Sequence, residues 1–202
     1  MMNQSVETTI VTRRSIKKTK GTELPQDVLN EIFEKAAYAP FHTKVEPWSI
    51  TSISTKEEKE YYADCVINSF ERIGKYENLT EEKVVSMKAN QSEYFLTTPL
   101  TLLVTTDVFE KEKGNLDSIG ATSSFIQNVS LLCWDKNIGV VWRTPQYIFD
   151  PIFAEDMGID PTKKIVGAVH LGYFDEEIIP KPKVRRDINE WITPLASKGI
   201  VK

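Results

Sequence analysis

Apolar residues along the chain follow two different spacings, which predicts both helices and strands. Leu29, Ile32 and Phe33 recur at three- and four-residue steps, so they form one apolar stripe of a helix. Pro25 suits the first turn of this helix, and Pro40 ends it. Further helices are predicted over about 57–72, 80–96 and 117–136, with a short helix near 150–157 and a helical turn at 187–192.

Four runs rich in β-branched and apolar residues predict strands. They cover residues 48–54, 100–106, 138–142 and 164–173. The run LTLLVTT at 100–106 is apolar almost without interruption, which is typical of a central strand. Four strands among about six helices, in mixed order, indicate an α+β fold.

The helix predicted over 117–136 is unusual because apolar residues occupy most of its circumference. Such a helix is buried on nearly all sides. Its small residues Gly120, Ala121, Ser123 and Ser124 lie close together and allow another backbone to approach. Because a chain of 202 residues has few elements to surround this helix, a second copy is expected to cover part of it.

Length and composition indicate a single domain over 1–202, with a polar lead-in arm at 1–10 and a helical excursion at about 57–96. The net charge of −4 argues against a nucleic-acid partner. Apolar runs reach only about five residues, too short to span a membrane. Cys65 and Cys133 lack metal-ligand spacing, so no metal site is expected. A cytoplasmic protein is predicted.

Two clusters of positive charge stand out against the acidic background. They comprise residues 13–18 (RRSIKK) and 181–186 (KPKVRR). Such clusters suit a compact anion, such as a phosphate, better than a polyanion. Their alternative interpretation is solvated surface charge.

Standard motifs for phosphate cradles and for nucleophilic hydrolysis are absent from the sequence. With only His42 and His170 available, general acid–base hydrolysis has few groups to use. Chemistry is therefore expected from a bound cofactor. The stretch 13–15 (RRS) suits a phosphate monoester, and Lys17 could favour negative charge on a reduced flavin ring.

The run RRSIKK followed by AAYAPFHTKVEPW resembles the opening of the FMN-dependent nitroreductase family. It is similar to the branch with an Ala-Pro-x-His-x-x-x-Glu-Pro-Trp loop and a Trp-Arg-Thr strand end. Later stretches at 117–139, 141–144 and 167–173 agree in order, so the resemblance covers about 11–192. Phe41, Lys44 and Glu46 depart from the commoner family loop, which leaves the substrate preference open.

This resemblance implies a nitroreductase-like fold, in which helices flank a mixed, mainly antiparallel central sheet and a long buried helix lies at a dimer interface. It further implies a homodimer with two FMN sites built from both chains. Arg13, Arg14 and Ser15 would hold the phosphate and the polar ring edge, and Lys17 would approach the N1–C2 edge. The full set of cofactor-binding residues implied is Arg13, Arg14, Ser15, Lys17, His42, Trp142, Arg143, Thr144, Lys183 and Arg185.

The implied function is an FMN-dependent oxidoreductase that uses NAD(P)H by a ping-pong mechanism. Its acceptor would be a small electron-poor molecule, such as a nitroaromatic, a quinone or an activated alkene. No side chain is required as a catalytic residue. Two alternatives are a flavin-binding carrier or sensor without turnover, and a dimeric interaction protein without flavin whose basic clusters are solvated.

Overall fold

The computed structural model describes residues 5–42 and 44–198, and it shows a four-stranded sheet flanked by helices. The strands are β1 (Trp48–Ile53), β2 (Leu100–Asp107), β3 (Ile138–Arg143) and β4 (Lys163–Tyr173). Their order is β1-β2-β4-β3, and every neighbouring pair is antiparallel. The predicted α+β fold with a mainly antiparallel sheet is confirmed, and so are the four predicted strands.

Six α-helices occur in the described residues, and they agree with the hydrophobic pattern except at two places. They are α1 (Val6–Thr12), α2 (Gln26–Ala36), α3 (Lys56–Arg72), α4 (Glu81–Thr97), α5 (Glu112–Asp135) and α6 (Pro151–Asp156). Helix α5 begins at Glu112, before the predicted start at 117. The prediction missed its first turns because they contain Gly114 and Asn115, which are weak helix formers.

Helix α1 begins in the predicted polar lead-in at 1–10, where no helix was predicted, and ends beyond it at Thr12. The Ser5 hydroxyl accepts a hydrogen bond from the backbone N–H of Thr8 and so caps the helix. At the other end, the Trp134 indole N–H donates to the Thr12 hydroxyl at 3.0 Å. These two contacts stabilise a helix whose β-branched residues give it a weak intrinsic propensity. Residues 1–4 of the predicted arm lie outside the described part.

Strand β2 lies between β1 and β4 in the sheet, as its apolar run predicted. The run is apolar throughout because helices cover both faces of the strand. Residues 100–106 are all buried. On one face, α2 and α5 pack against Leu102 and Val104. On the other face, α3, α4 and α6 pack against Leu103. The helical excursion therefore covers one side of the sheet.

Polar contacts supplement the apolar core between the sheet and helices α3, α4 and α6. The hydroxyls of Tyr62 and Tyr147 lie 2.7 Å apart and both side chains are buried. Burial raises the pKa of each hydroxyl, so both stay neutral. Arg72 donates to the buried Asp150 carboxylate from Nε at 3.0 Å and from Nη2 at 2.8 Å. These contacts join α3 to the segment that precedes α6.

Beyond β4 the chain leaves the sheet. All described residues from 175 onward are exposed, although several of them are apolar. The helical turn predicted at 187–192 is a short 3₁₀ turn, Ile188–Glu190. Among the described residues, no helix is both long and apolar enough to cross a membrane, and no group of three or more His, Cys, Asp or Glu side chains is placed to hold a metal ion.

Candidate functional site

The first basic segment, residues 13–18, follows α1 and lies along the edge of the sheet. Ser15 forms an isolated parallel bridge with Val140 of β3, and the Ile16 backbone N–H donates to the Val140 carbonyl at 3.1 Å. The Ile16 side chain is 1% exposed. It lies so close to Gly139 that a β-carbon there would stand 2.7 Å from the Ile16 Cβ. Ile16 therefore anchors the basic residues that precede it.

The second basic segment, residues 181–186, approaches the first because the chain on either side passes the end of β4. The Lys20 backbone N–H donates to the Tyr173 carbonyl at 2.6 Å. The Lys20 ammonium also pairs with the Asp175 carboxylate at 2.6 Å. The segment after Asp175 then passes beside residues 10–17. Two charge clusters that are far apart in sequence thus become neighbours.

Together the two segments enclose a cleft of about 660 Å³. Its lining residues are Ile10, Val11, Arg13, Arg14, Ser15, Lys17, Pro180, Lys181, Pro182, Lys183 and Arg185. Six of the ten residues implied by the family resemblance are among them, drawn from both ends of the chain. None of the described residues that line the cleft is acidic.

Within the described residues, no carboxylate forms an ion pair with the positive charges of this cleft. Burial, with the nearby charges of Arg14 and Arg185, lowers the pKa of the Arg13 guanidinium. Arg14 Nη1 donates to the backbone carbonyls of Val11 and Arg13, at 2.8 Å each. Arg14 Nε is buried and has no hydrogen-bond partner within the described structure. A buried unpaired donor among like charges is a favourable place for an anion.

Trp142, Arg143 and Thr144 follow on the strand that carries Val140, the bridge partner of Ser15. Trp142 is 38% exposed, and its indole lies over Gly167, where a β-carbon would stand 2.1 Å from Nε1. Because side chains alternate along a strand, Trp142 and Arg143 point to opposite faces of the sheet. Thr144 is exposed immediately after the strand. These residues are therefore near the cleft along the strand, but they do not line it.

Arg143 packs beside the half-buried Tyr94 and the buried His170, which the sequence did not mark as part of a site. Its guanidinium carbon lies 5.7 Å from the centre of the Tyr94 ring. His170 lies next to Tyr94, and its Nδ1 is 2.9 Å from the Thr101 hydroxyl. Burial, with a smaller contribution from Arg143, lowers the pKa of His170 to about 3. His170 is therefore neutral under ordinary conditions.

His42 is exposed in the loop after α2 and is not among the residues that line the cleft. Its imidazole lies near the carboxylate of Asp117, on α5. A hydrogen bond from Lys113, with a smaller contribution from His42, lowers the pKa of Asp117. Within one chain, the structure thus places His42 apart from the arginines with which the resemblance groups it. The neighbouring Thr43 lies outside the described residues.

Comparison with known proteins places this geometry in a family. The family model described as "Nitroreductase family" matches residues 10–173. YfhC of Bacillus subtilis (strain 168), provisionally named an NAD(P)H nitroreductase, is 33% identical over 188 residues, which cover 92% of each protein.

Solved structures give the same result. The crystal structure of a nitroreductase-like family protein from Bacillus cereus has a TM-score of 0.84 and 30% identity, covering 96% of this chain and 98% of that one. A Bacteroides fragilis nitroreductase with bound FMN has the same fold, with a TM-score of 0.71 and 22% identity, over 95% and 99% of the two chains. Since the family match includes the first basic segment and all four strands, this chain belongs to the nitroreductase family.

Proposed function

We propose that this protein is an FMN-dependent oxidoreductase that uses NAD(P)H to reduce an electron-poor small molecule. The observation that carries the proposal is the convergence of both basic segments on one cleft without acidic residues. Family membership and the printed names of the relatives agree with it. The buried and unpaired Nε of Arg14 also suits a phosphate oxygen as its partner.

In this proposal, every charged or hydroxyl side chain that lines the cleft contacts FMN, except that of Lys181. Arg13, Arg14, Lys183 and Arg185 bind the phosphate monoester of FMN, with charge-assisted hydrogen bonds from guanidinium and ammonium groups. The Ser15 hydroxyl supplies a neutral hydrogen bond beside them. These residues hold the cofactor at its phosphate end.

Other residues orient the ring of the cofactor. Lys17 places a cation at the ring edge where negative charge develops on reduction. Trp142, Arg143 and Thr144, which the resemblance assigns to the ring, lie at the end of β3. Because Trp142 and Arg143 point to opposite faces of the sheet, their side chains would not contact the ring from the same side. When bound, FMN would supply the two-electron chemistry that links oxidation of NAD(P)H, whose product leaves first, to reduction of a nitroaromatic, a quinone or an activated alkene.

The protein contributes orientation and charge, and no side chain acts as a nucleophile. The two cysteines are buried, and burial raises the pKa of each thiol, so neither is a reactive thiolate. Free buried cysteines also agree with a reducing compartment, and we propose the cytoplasm.

The purified protein is expected to be yellow, with flavin absorbance bands that NAD(P)H bleaches without oxygen. Addition of a nitroaromatic or a quinone should restore the bands. Bands that NAD(P)H leaves unchanged would favour the carrier or sensor without turnover. Folded protein that is colourless and binds no FMN at micromolar concentration would contradict the proposal and favour the interaction protein whose basic clusters are solvated.

A homodimer of single-domain copies is part of the same proposal, because a second copy would bring its own His42 to the site. Helix α5 exposes a stripe of residues at helical spacing, from Leu116, which is 72% exposed, through Gly120 to Gln127. The exposed C-terminal segment carries Trp191 and Leu195, both 58% exposed. Burial of these apolar residues against a second copy would stabilise the dimer.

Gly120→Leu is expected to raise the dissociation constant of the dimer at least about tenfold, because the added atoms overpack a close helix contact. Apart from its chain neighbours and the backbone of its own helix, no atom of the described chain lies within 4 Å of a β-carbon at this position, so the monomer itself tolerates the side chain. Sedimentation at several protein concentrations measures the effect. Glu93→Leu, at an exposed position of α4, is the matched control. Wild-type protein that sediments only as a monomer would contradict the homodimer.

A further inference from the structure

We propose that the basic cleft makes this enzyme selective for NADPH over NADH, and that Lys181 recognises the 2′-phosphate of NADPH. The inference rests on the proposed function, because it concerns the electron donor of the same site. Six cationic side chains line the cleft, and none of the described lining residues is acidic. A phosphate monoester such as that of FMN carries at most about two negative charges.

Binding of FMN therefore leaves about four positive charges in the cleft without a counter-charge. These cations are close enough to act on each other, since the charges of Arg14 and Arg185 contribute to the lowered pKa of Arg13. None of the six takes part in an ion pair within the described structure. The cleft thus keeps a positive field that favours a second anionic group.

Lys181 is the lining cation that has no role in the proposed binding of FMN. It lies between Pro180 and Pro182, whose rings restrict the backbone and favour an extended conformation. The ammonium is therefore presented from a stretch that loses little conformational freedom on binding. Its side chain is exposed at the cleft, where a soluble ligand reaches it.

The two donors differ in their negative charge. NADPH differs from NADH by one phosphate monoester on the adenosine ribose. Both donors carry the same pyrophosphate, so the general field attracts both. The additional dianion of NADPH gains most from a lysine that is not already neutralised. A single cation at this place therefore discriminates between the donors, and its effect weakens as salt screens it.

The test compares wild type, Lys181→Ala and Lys18→Ala. Lys18 is an exposed cation in the first basic segment and does not line the cleft. Lys18→Ala therefore changes the net charge of the protein by the same amount as Lys181→Ala but leaves the cleft intact. We expect wild type to show a kcat/KM for NADPH at least about tenfold above that for NADH at low ionic strength. Lys181→Ala should lower this ratio about three- to tenfold through KM for NADPH, while Lys18→Ala leaves it unchanged.

Two further measurements make the result decisive. Flavin absorbance gives the FMN content of each variant, which Lys181→Ala should leave unchanged. Calorimetric titration with NADP⁺ and with NAD⁺ measures selectivity without turnover, and it applies also to protein that fails to retain FMN. Loss of FMN from Lys181→Ala would overturn the inference, because Lys181 would then be another cofactor ligand. Equal binding and equal use of the two donors by wild type would overturn it as well.

Discussion

Arg13→Ala combined with Arg185→Ala is expected to raise the dissociation constant of FMN about 10²- to 10⁴-fold. Hydrogen bonds to charged groups contribute about 1.5–3 kcal/mol each, and tenfold in affinity corresponds to about 1.4 kcal/mol. The two arginines come from opposite ends of the chain and line the same cleft. Fluorescence titration of the apoprotein with FMN measures the change.

The same double variant is expected to leave the apoprotein at least as stable as wild type. Arg13 has a lowered pKa because burial and the charges of Arg14 and Arg185 oppose its protonated form. Removal of two crowded cations relieves that repulsion when no anion is bound. Urea denaturation of the apoproteins tests the sign, which separates loss of ligand groups from loss of fold.

A matched double variant, Lys18→Ala with Arg186→Ala, removes the same charge from the same two segments. Neither residue lines the cleft. FMN affinity should change less than about threefold in this control, since exposed charges at a distance act only through a screened field. Equal losses in both double variants would show that FMN responds to overall charge, and the assignment of the cleft would then be wrong.

The sequence predicted most of the fold because its strongest patterns coincide with complete burial. The run at 100–106 is buried throughout and is the central strand, as an apolar run without alternation indicates. Helix α1 was missed because its residues are mainly β-branched or polar and its stability comes from the Ser5 cap and from Trp134. Such a tertiary contact has no local signal.

The candidate site was predictable in composition but less so in arrangement. Two basic clusters on an acidic chain indicated an anion, and the structure brings both to one cleft. Tyr94 and His170, which lie beside Arg143, could not be predicted, because the three residues belong to α4, β4 and β3 and meet only in the folded chain. The sequence identified Lys181 as a member of the second basic cluster. Only the structure shows that Lys181 lines the cleft and that Arg186 does not.

Gly139→Ala is expected to lower the free energy of unfolding by about 2 kcal/mol and to weaken FMN binding about tenfold. An added β-carbon would stand 2.7 Å from the Ile16 Cβ and 2.9 Å from the Phe174 Cδ1. Overpacking of this kind costs about 1–3 kcal/mol. Ile16 cannot yield easily, because its side chain is buried and its backbone N–H is bonded to Val140.

Displacement of Ile16 would carry Ser15 and the preceding arginines away from their positions, so affinity should fall although every ligand side chain remains. Urea denaturation and FMN titration measure the two effects. Gly21→Ala is the control, since the nearest atom to a β-carbon there is the Thr97 carbonyl oxygen at 4.0 Å. Reduced freedom of the unfolded chain should make that variant neutral or slightly more stable. Unchanged FMN affinity in a destabilised Gly139→Ala would show that the basic segment holds its place without Ile16, which would contradict its role as the anchor of the cleft.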